Sequence, residues 1–258
     1  MGKLCPLFSG SKGNCTYIGA GGSGILIDVG VSCRRLTAEL ADKNIDINSI
    51  KAIFITHEHS DHINGLKTFC AKNNIPVFAS HGTAEVLRKM FPTLSVTGFE
   101  NEIKIDGITV TRFDTSHDCK FSSGYCVFLP DNTSCGICTD TGVLPDNAVK
   151  SLTGKNVVLI ESNHDVTMLS KGPYPPELKM RILSDCGHLS NNDCATAVNA
   201  ILNGGTRRFV LAHLSENNNL PTVAESATVS FLLDKGFLKD RDYTLYIAKP
   251  SDNDIIYF

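Results

Sequence analysis

The sequence predicts an α/β protein, in the broad sense that includes α+β, with sheets covered by helices. Three observations predict it. Short apolar runs recur along the chain, each bounded by turn residues. Patterns of helical periodicity fall between some of them. No linker-like or low-complexity stretch divides the 258 residues, so 1–258 is expected to be a single domain, 42% hydrophobic and able to bury a large core.

Strands are expected at Thr16 to Ile18, Gly24 to Val29, Ala52 to Thr56, Val77 to Ala79 and Ile108 to Phe113. Further runs follow at Gly124 to Leu129, Ser134 to Thr139, Val157 to Glu161, Arg208 to Ala212 and Tyr243 to Ala248. Helices are expected over Cys33 to Lys43, Ile63 to Asn73, Thr83 to Met90, Pro176 to Ser184, Asn191 to Leu202 and Val223 to Lys235. In the fifth of these, Val198, Ile201 and Leu202 form an i, i+3, i+4 stripe. Ser190 is placed to cap it, with Asp193 three residues on in capping-box spacing.

The formal net charge is −3, with no acidic or basic tail, which excludes a general nucleic-acid coat. An anionic substrate must then be held locally. No run of eighteen apolar residues predicts a membrane span, and the first residues lack the apolar stretch of a signal peptide, so the expected address is the cytoplasm. Ten scattered cysteines are expected to be reduced, mostly buried and apolar in role. Cys135 and Cys138 have CxxC spacing but lie in a predicted strand without a second pair, and are read as two strand cysteines.

The chemistry concentrates in Thr56-His57-Glu58-His59-Ser60-Asp61-His62, directly after the apolar run Ala52 to Ile55. Three imidazoles and a carboxylate fall within six positions, and these are ligands that suit zinc, manganese and iron. Asp28, His117, Asp140 and His213 likewise stand at or just past the ends of predicted strands. Strand ends gathered on one sheet edge can converge on one site. Asp114, Asp118 and Asp131 lie near His117 and Asp140 and are set aside, and His81 is read as an ordinary surface or core histidine.

His57-Glu58-His59-Ser60-Asp61-His62 resembles the HxHxDH signature of the metallo-β-lactamase fold, and Asp28, His117, Asp140 and His213 resemble its other elements in order. The resemblance covers nearly the whole chain and implies a four-layer αββα sandwich. It implies two divalent metal ions, Zn2+ or Mn2+: His57, His59 and His117 on the first, Asp61, His62 and His213 on the second, and Asp140 bridging. Asp28 would orient the loop from behind. A water shared by two such ions becomes a nucleophile, and open coordination positions distinguish a catalytic from a structural site.

Ser9-Gly10-Ser11-Lys12-Gly13-Asn14-Cys15, Glu161-Ser162-Asn163-His164-Asp165, Gly187-His188-Leu189-Ser190-Asn191 and Leu211-Ala212-His213-Leu214-Ser215 together resemble the WalJ (YycJ) group within that superfamily. This implies a phosphodiesterase acting on DNA, a 5′ to 3′ exonuclease, with Asp61 and His188 as catalytic residues. Similarity extends to tRNA 3′-processing nucleases, but no long inserted arm for gripping tRNA is evident. His188, before the helix start at Ser190, could protonate the leaving oxygen or meet transition-state charge. Glu161 and His164 are expected to support the site. Ser11, Asn14, Ser190, Lys179 and Arg181 are candidate substrate contacts.

DNA is therefore the expected partner, with no membrane and no obligate protein partner evident. The alternatives are a small-molecule, including cyclic, phosphodiesterase, then a thioester or lactam hydrolase, and last a non-enzymatic metal-dependent interaction protein. The full ligand set argues against the last of these.

Overall fold

The computed structural model describes residues 1–258. Fourteen strands and nine α-helices alternate along the chain. The first half contains β1 (Lys3–Phe8), β2 (Cys15–Ala20), β3 (Ser23–Ile27), α1 (Cys33–Asp42), β4 (Ile50–Ile55), α2 (Ser60–Ile63), α3 (Leu66–Asn73), β5 (Val77–Ala79), α4 (His81–Met90) and β6 (Val96–Gly98). The second contains β7 (Glu102–Ile105), β8 (Ile108–Asp114), β9 (Ser123–Phe128), β10 (Ser134–Cys138), α5 (Asp146–Leu152), β11 (Val157–Glu161), α6 (Val166–Lys171), α7 (Pro176–Ile182), α8 (Asn191–Asn203), β12 (Arg208–Ala212), α9 (Pro221–Asp234), β13 (Thr244–Ile247) and β14 (Ile256–Tyr257).

Two seven-stranded sheets result. Their orders are β14-β1-β2-β3-β4-β5-β6 and β13-β12-β11-β10-β9-β8-β7. Each is mixed. β3 to β6 run parallel in the first, β10 to β13 in the second, and the remaining pairs are antiparallel.

The two-residue period of the strands builds four layers. Ile25 and Ile27 of β3 and Phe54 of β4 face the second sheet, where they meet Val110, Tyr125, Ile137, Leu159 and Val210. Their neighbours Leu26, Ile53 and Ile55 face outward onto Leu36 and Leu40 of α1, Phe69 of α3 and Leu87 of α4. In the second sheet Val158, Ile160, Phe209 and Leu211 face outward onto Leu152 of α5 and Val198, Ile201 and Leu202 of α8. The helix–sheet–sheet–helix order matches the αββα expectation.

Phe54 stands at the centre of the inter-sheet layer. Its ring stacks on Phe78 at 5.2 Å and meets Phe99 and Tyr125 edge-on at 5.9 and 5.7 Å. Burying such a ring contributes about 2–3 kcal/mol. The Tyr125 hydroxyl donates to the Ile55 carbonyl at 2.5 Å, so this aromatic packing also pins the strand that carries the histidine loop.

Several expectations change in detail. The helix expected over 63–73 is broken at Gly65, whose N–H donates to the Val29 carbonyl at 3.0 Å instead of to the carbonyl four residues back, and α3 starts after it. β1 escaped notice because Pro6 interrupts its apolar run. It is tolerated beside an irregularity in pairing between Pro6 and Phe8. β6, β7, β14, α5 and α6 were missed because each has seven residues or fewer and little periodicity of its own. All ten cysteines are free and eight are buried. Cys135 and Cys138 lie in β10, where burial raises both thiols well above their ordinary range. No helix is long and apolar enough to cross a membrane.

Candidate metal centre

Strand ends deliver the functional side chains to one edge of the sandwich. Asp28 follows β3, the His57–His62 loop follows β4, His117 follows β8, Asp140 follows β10, Glu161 ends β11 and His213 follows β12. Three of these residues have left-handed backbone, with φ 62° at Asp28, 57° at Asp140 and 55° at His213. Such a conformation costs a non-glycine residue on the order of 1–3 kcal/mol and persists where surrounding bonds impose it. Here it turns each side chain out of the strand's alternation. Asp28 N–H donates to Phe54 O at 2.9 Å, and His213 N–H donates to Ser9 Oγ at 2.8 Å.

The histidine loop is clamped by backbone. Asn14 N–H donates to Asp61 O, and Val29 N–H donates to His62 O, both at 2.8 Å. A Cβ at Gly30 would lie 1.6 Å from Asp61 O, so only glycine permits this approach.

A single rule orients the imidazoles. His62 Nδ1 meets Asp28 Oδ2 at 2.8 Å, His213 Nδ1 meets Glu161 Oε1 at 2.8 Å, and His117 Nδ1 meets Gly187 O at 3.0 Å. His57 Nδ1 lies 3.0 Å from Thr56 Oγ1, which itself donates to Asp28 Oδ2. With an acceptor on each Nδ1, the Nε2 atom is left as a lone-pair donor, the usual arrangement behind a metal-binding histidine. His62 Nε2 then lies 3.3 Å from Asp140 Oδ2 and 3.5 Å from Asp61 Oδ2, and His213 Nε2 is 3.9 Å from Asp61 Oδ2.

Donor atoms cluster in four overlapping sets, each within 4.8 Å: His57, His59 and His117; His57, His62 and Asp140; Asp61, His62 and His213; and Asp140, Glu161, His188 and His213. Asp140 Oδ2 and His213 Nε2 are buried without any hydrogen-bond partner. Orphaned oxygen and nitrogen donors amid such sets fit divalent cations. The set contains no thiolate.

Electrostatics divide the cluster. Burial, reinforced by the neighbouring imidazoles, holds His57 well below the ordinary histidine range, and burial lowers His117 too. The other side is opposite. Burial alone would lower His62, but the Asp140 and Asp28 charges raise it well above the ordinary range. Against burial, Asp140, Asp61 and Glu161 push His213 up to about 10. Burial opposes ionisation of Asp61 and Glu161 as well, but bonds from His213 and His62, and the charge of His188, hold the two carboxyls below the ordinary range. His188 is raised, with Glu161 overcoming its burial.

The cluster floors a cavity of about 240 Å³ bounded by Ser11, Asn163, Tyr174, Leu178, Arg181 and His188. A wider depression of about 660 Å³ lies among Lys155, Arg207 and Arg241, at the start of β12 and β13, and contains none of these histidines. Ligand chemistry, not size, identifies the site.

The structure brings together His57, His59, Asp61, His62, His117, Asp140, His188 and His213, with Asp28 and Glu161 behind them. Ser11 and Arg181 reach the cavity. Four expectations need correction. Asn14 is not on the substrate approach; it is buried, its Nδ2 3.1 Å from His62 Nε2 and 3.4 Å from Asp61 Oδ2, and it positions the loop. Ser190 caps α8 as expected, but its hydroxyl is buried and taken by Asp193 Oδ2 at 2.6 Å, which leaves nothing for a substrate. Lys179 bonds the Ser170 carbonyl at 2.7 Å and does not line the cavity. His164 is buried, and its ring nitrogens form no hydrogen bond to any of the candidate metal ligands. The sequence reading also missed Asn163, whose Nδ2 donates to His213 O at 2.9 Å, and set aside Asp118, which lines the cavity. Asn163 lies in a segment the sequence singles out, but nothing local gives it a role, and Asp118 is marked only by following His117.

Fold and donor set together define a class. The sequence matches the beta-lactamase superfamily domain over residues 24–214, and the chain belongs to this metallo-β-lactamase-fold family. It is 37% identical over 249 residues to exodeoxyribonuclease YycJ of Bacillus anthracis, covering 95% of this chain and 94% of that one. It is 35% identical over 255 residues to exodeoxyribonuclease WalJ of Streptococcus pneumoniae, covering 96% and 94%. The crystal structure of the metallo-β-lactamase fold protein YhfI from Bacillus subtilis superposes with a TM-score of 0.74 over the whole of both chains at 13% identity, a likeness of fold.

Proposed function

We propose that this chain is a divalent-metal-dependent phosphodiesterase, an exodeoxyribonuclease that shortens DNA from its 5′ end. The observation that carries the reading is the set of imidazoles anchored through Nδ1, with Nε2 atoms grouped around Asp61 and Asp140. The names of the YycJ and WalJ relatives support DNA as the substrate.

His57, His59 and His117 would hold one ion and Asp61, His62 and His213 a second, with Asp140 shared. Nitrogen and oxygen donors accept zinc or manganese. When bound there, such a pair supplies an acidified water and neutralises phosphodiester charge. Asp61 would orient that water. His188 has its Nδ1 on Glu161 and lines the cavity, so it is placed to deliver a proton to the departing oxygen. The Glu161 carboxylate raises the proton affinity of His188. Tyr174 and Leu178 would exclude water from one side of the cavity.

The small cavity and its single arginine favour a second reading, hydrolysis of small or cyclic phosphodiesters. One experiment decides. Full-length protein loaded with manganese or zinc is given 5′- and 3′-labelled single- and double-stranded DNA beside a cyclic nucleotide and bis-p-nitrophenyl phosphate, with chelator and Asp61→Ala controls. Stepwise loss of the 5′ label, abolished by chelation, is expected. Turnover of the small esters alone would transfer the assignment to the second reading.

A further inference from the structure

Asp118 follows a candidate ligand directly, and its carboxylate enters the cavity. Oδ1 lies 3.3 Å from His117 Nε2, the atom that the bond from Nδ1 to Gly187 O leaves free, and 3.8 Å from His59 Nε2. Oδ2 is paired with the Arg181 guanidinium across 63 residues of sequence. Arg181 is the only lysine or arginine lining this cavity. It reaches in from α7, whose Leu178 and Ile182 form the apolar wall beside it.

Asp61, Asp118 and Asp140 all line the cavity, and its one permanent cation is already neutralised. A carboxylate offers a guanidinium the same pair of anionic oxygens as a phosphate does. Asp118 thus presents one oxygen to the arginine and one toward the place where a cation held by His59 and His117 would sit, as two oxygens of a bound phosphate would.

We propose that Asp118 is a built-in stand-in for the substrate phosphate, occupying the position between Arg181 and the His59–His117 donors until an incoming phosphate displaces it. This deepens the phosphodiesterase reading and rests on it. Arg181 becomes the residue that selects a phosphate, and Asp118 becomes a positioning residue that keeps the arginine extended and raises the threshold for weak anions. No covalent step is involved: one ion pair exchanges for another.

The test is calorimetric titration of metal-loaded full-length protein with inorganic phosphate, a probe that needs no turnover. Removing the competing carboxylate in Asp118→Asn is expected to tighten phosphate binding ~10-fold, a change of 1.4 kcal/mol. Arg181→Ala is expected to weaken it at least as much, with Arg181→Lys restoring part. In the double variant the gain from Asp118→Asn is expected to disappear, because the two residues compete for one partner. Metal content and the circular dichroism spectrum are measured for every variant. Unchanged or weaker phosphate binding in Asp118→Asn, or loss of metal from it, overturns the proposal, the latter by making Asp118 a ligand. Failure of the wild-type protein to cleave any phosphodiester would instead count against the functional reading, whatever the phosphate titrations show.

Discussion

The two sides of the histidine cluster lie within one cavity yet have opposite electrostatic character. His57 is buried among other imidazoles, and at His117 burial outweighs the nearby carboxylates, so both lose their protons easily. His62 and His213 are just as deeply buried, but they face Asp28, Asp61, Asp140 and Glu161, so they hold their protons. Burial is common to both sides, and the carboxylates bonded directly to His62 and His213 decide the difference. The first side offers neutral nitrogen donors at once. The second must exchange protons for a cation, so its metal affinity depends on pH.

Removing the second side's own carboxylate should have the largest effect. Asp61→Ala is expected to lower turnover by ~10³-fold or more, several kcal/mol of charge stabilisation, with metal content reduced but not abolished. His59→Ala should leave the complementary half loaded, and elemental analysis of the two variants measures whether the halves bind independently.

Glu161→Gln comes next. One carboxylate oxygen at 2.8 Å orients both His213 and His188. Its loss is expected to cost ~10–100-fold in metal affinity or activity. It should also lower the basicity of His188, so the alkaline limb of the rate profile moves to lower pH. Asp28→Asn should produce the loss without that movement, because Asp28 serves His62 and not His188.

The pH dependence of metal-stripped protein tests the contrast directly. His213 is more basic folded than unfolded. Its proton therefore stabilises the fold fully below about pH 6.5, the unfolded value, and that contribution fades as pH rises through about 10. His57 and His117 are less basic folded than unfolded, so they favour the fold above about pH 6.5 and oppose it as pH falls. Stripped protein should lose stability toward both extremes in thermal melts. Metal uptake at pH 7 should release protons, and its affinity should weaken on acidification, both readable by titration in buffers of different ionisation enthalpy.

The smallest effect is expected at Lys179. Its ammonium is committed to the Ser170 carbonyl, so Lys179→Ala should stay within about twofold of wild-type activity. A tenfold loss would add Lys179 to Arg181 as a proposed substrate contact on α7.

The donor set was legible because its chemistry is dense and local. Three imidazoles and an acid in six residues have few other uses, and each remaining ligand follows an apolar run that announces a strand. The alternation of Ile25, Leu26 and Ile27 was legible for the same reason, since a period of two is carried by neighbours. Asp118 was not, because an aspartate in a polar loop looks like any other until Arg181 meets it. His164 misled in the other direction: it sits in a motif-like segment, yet its side chain does not line the cavity and its ring nitrogens have no hydrogen-bond partner. Ser190 was read correctly as a cap and wrongly as a substrate contact, because capping depends on residues three apart and access depends on everything packed around them.

The sequence by itself determined which donor atoms exist, their order, and the strands that carry them, because side-chain chemistry and strand periodicity are properties of adjacent residues. Only the tertiary structure decided which nitrogen of each imidazole faces the cavity, and whether each carboxylate serves as ligand, anchor or counter-ion. Those choices come from contacts such as Ser9 with His213 and Glu161 with His213, 204 and 52 residues apart, and these exist only once the two sheets have closed on each other.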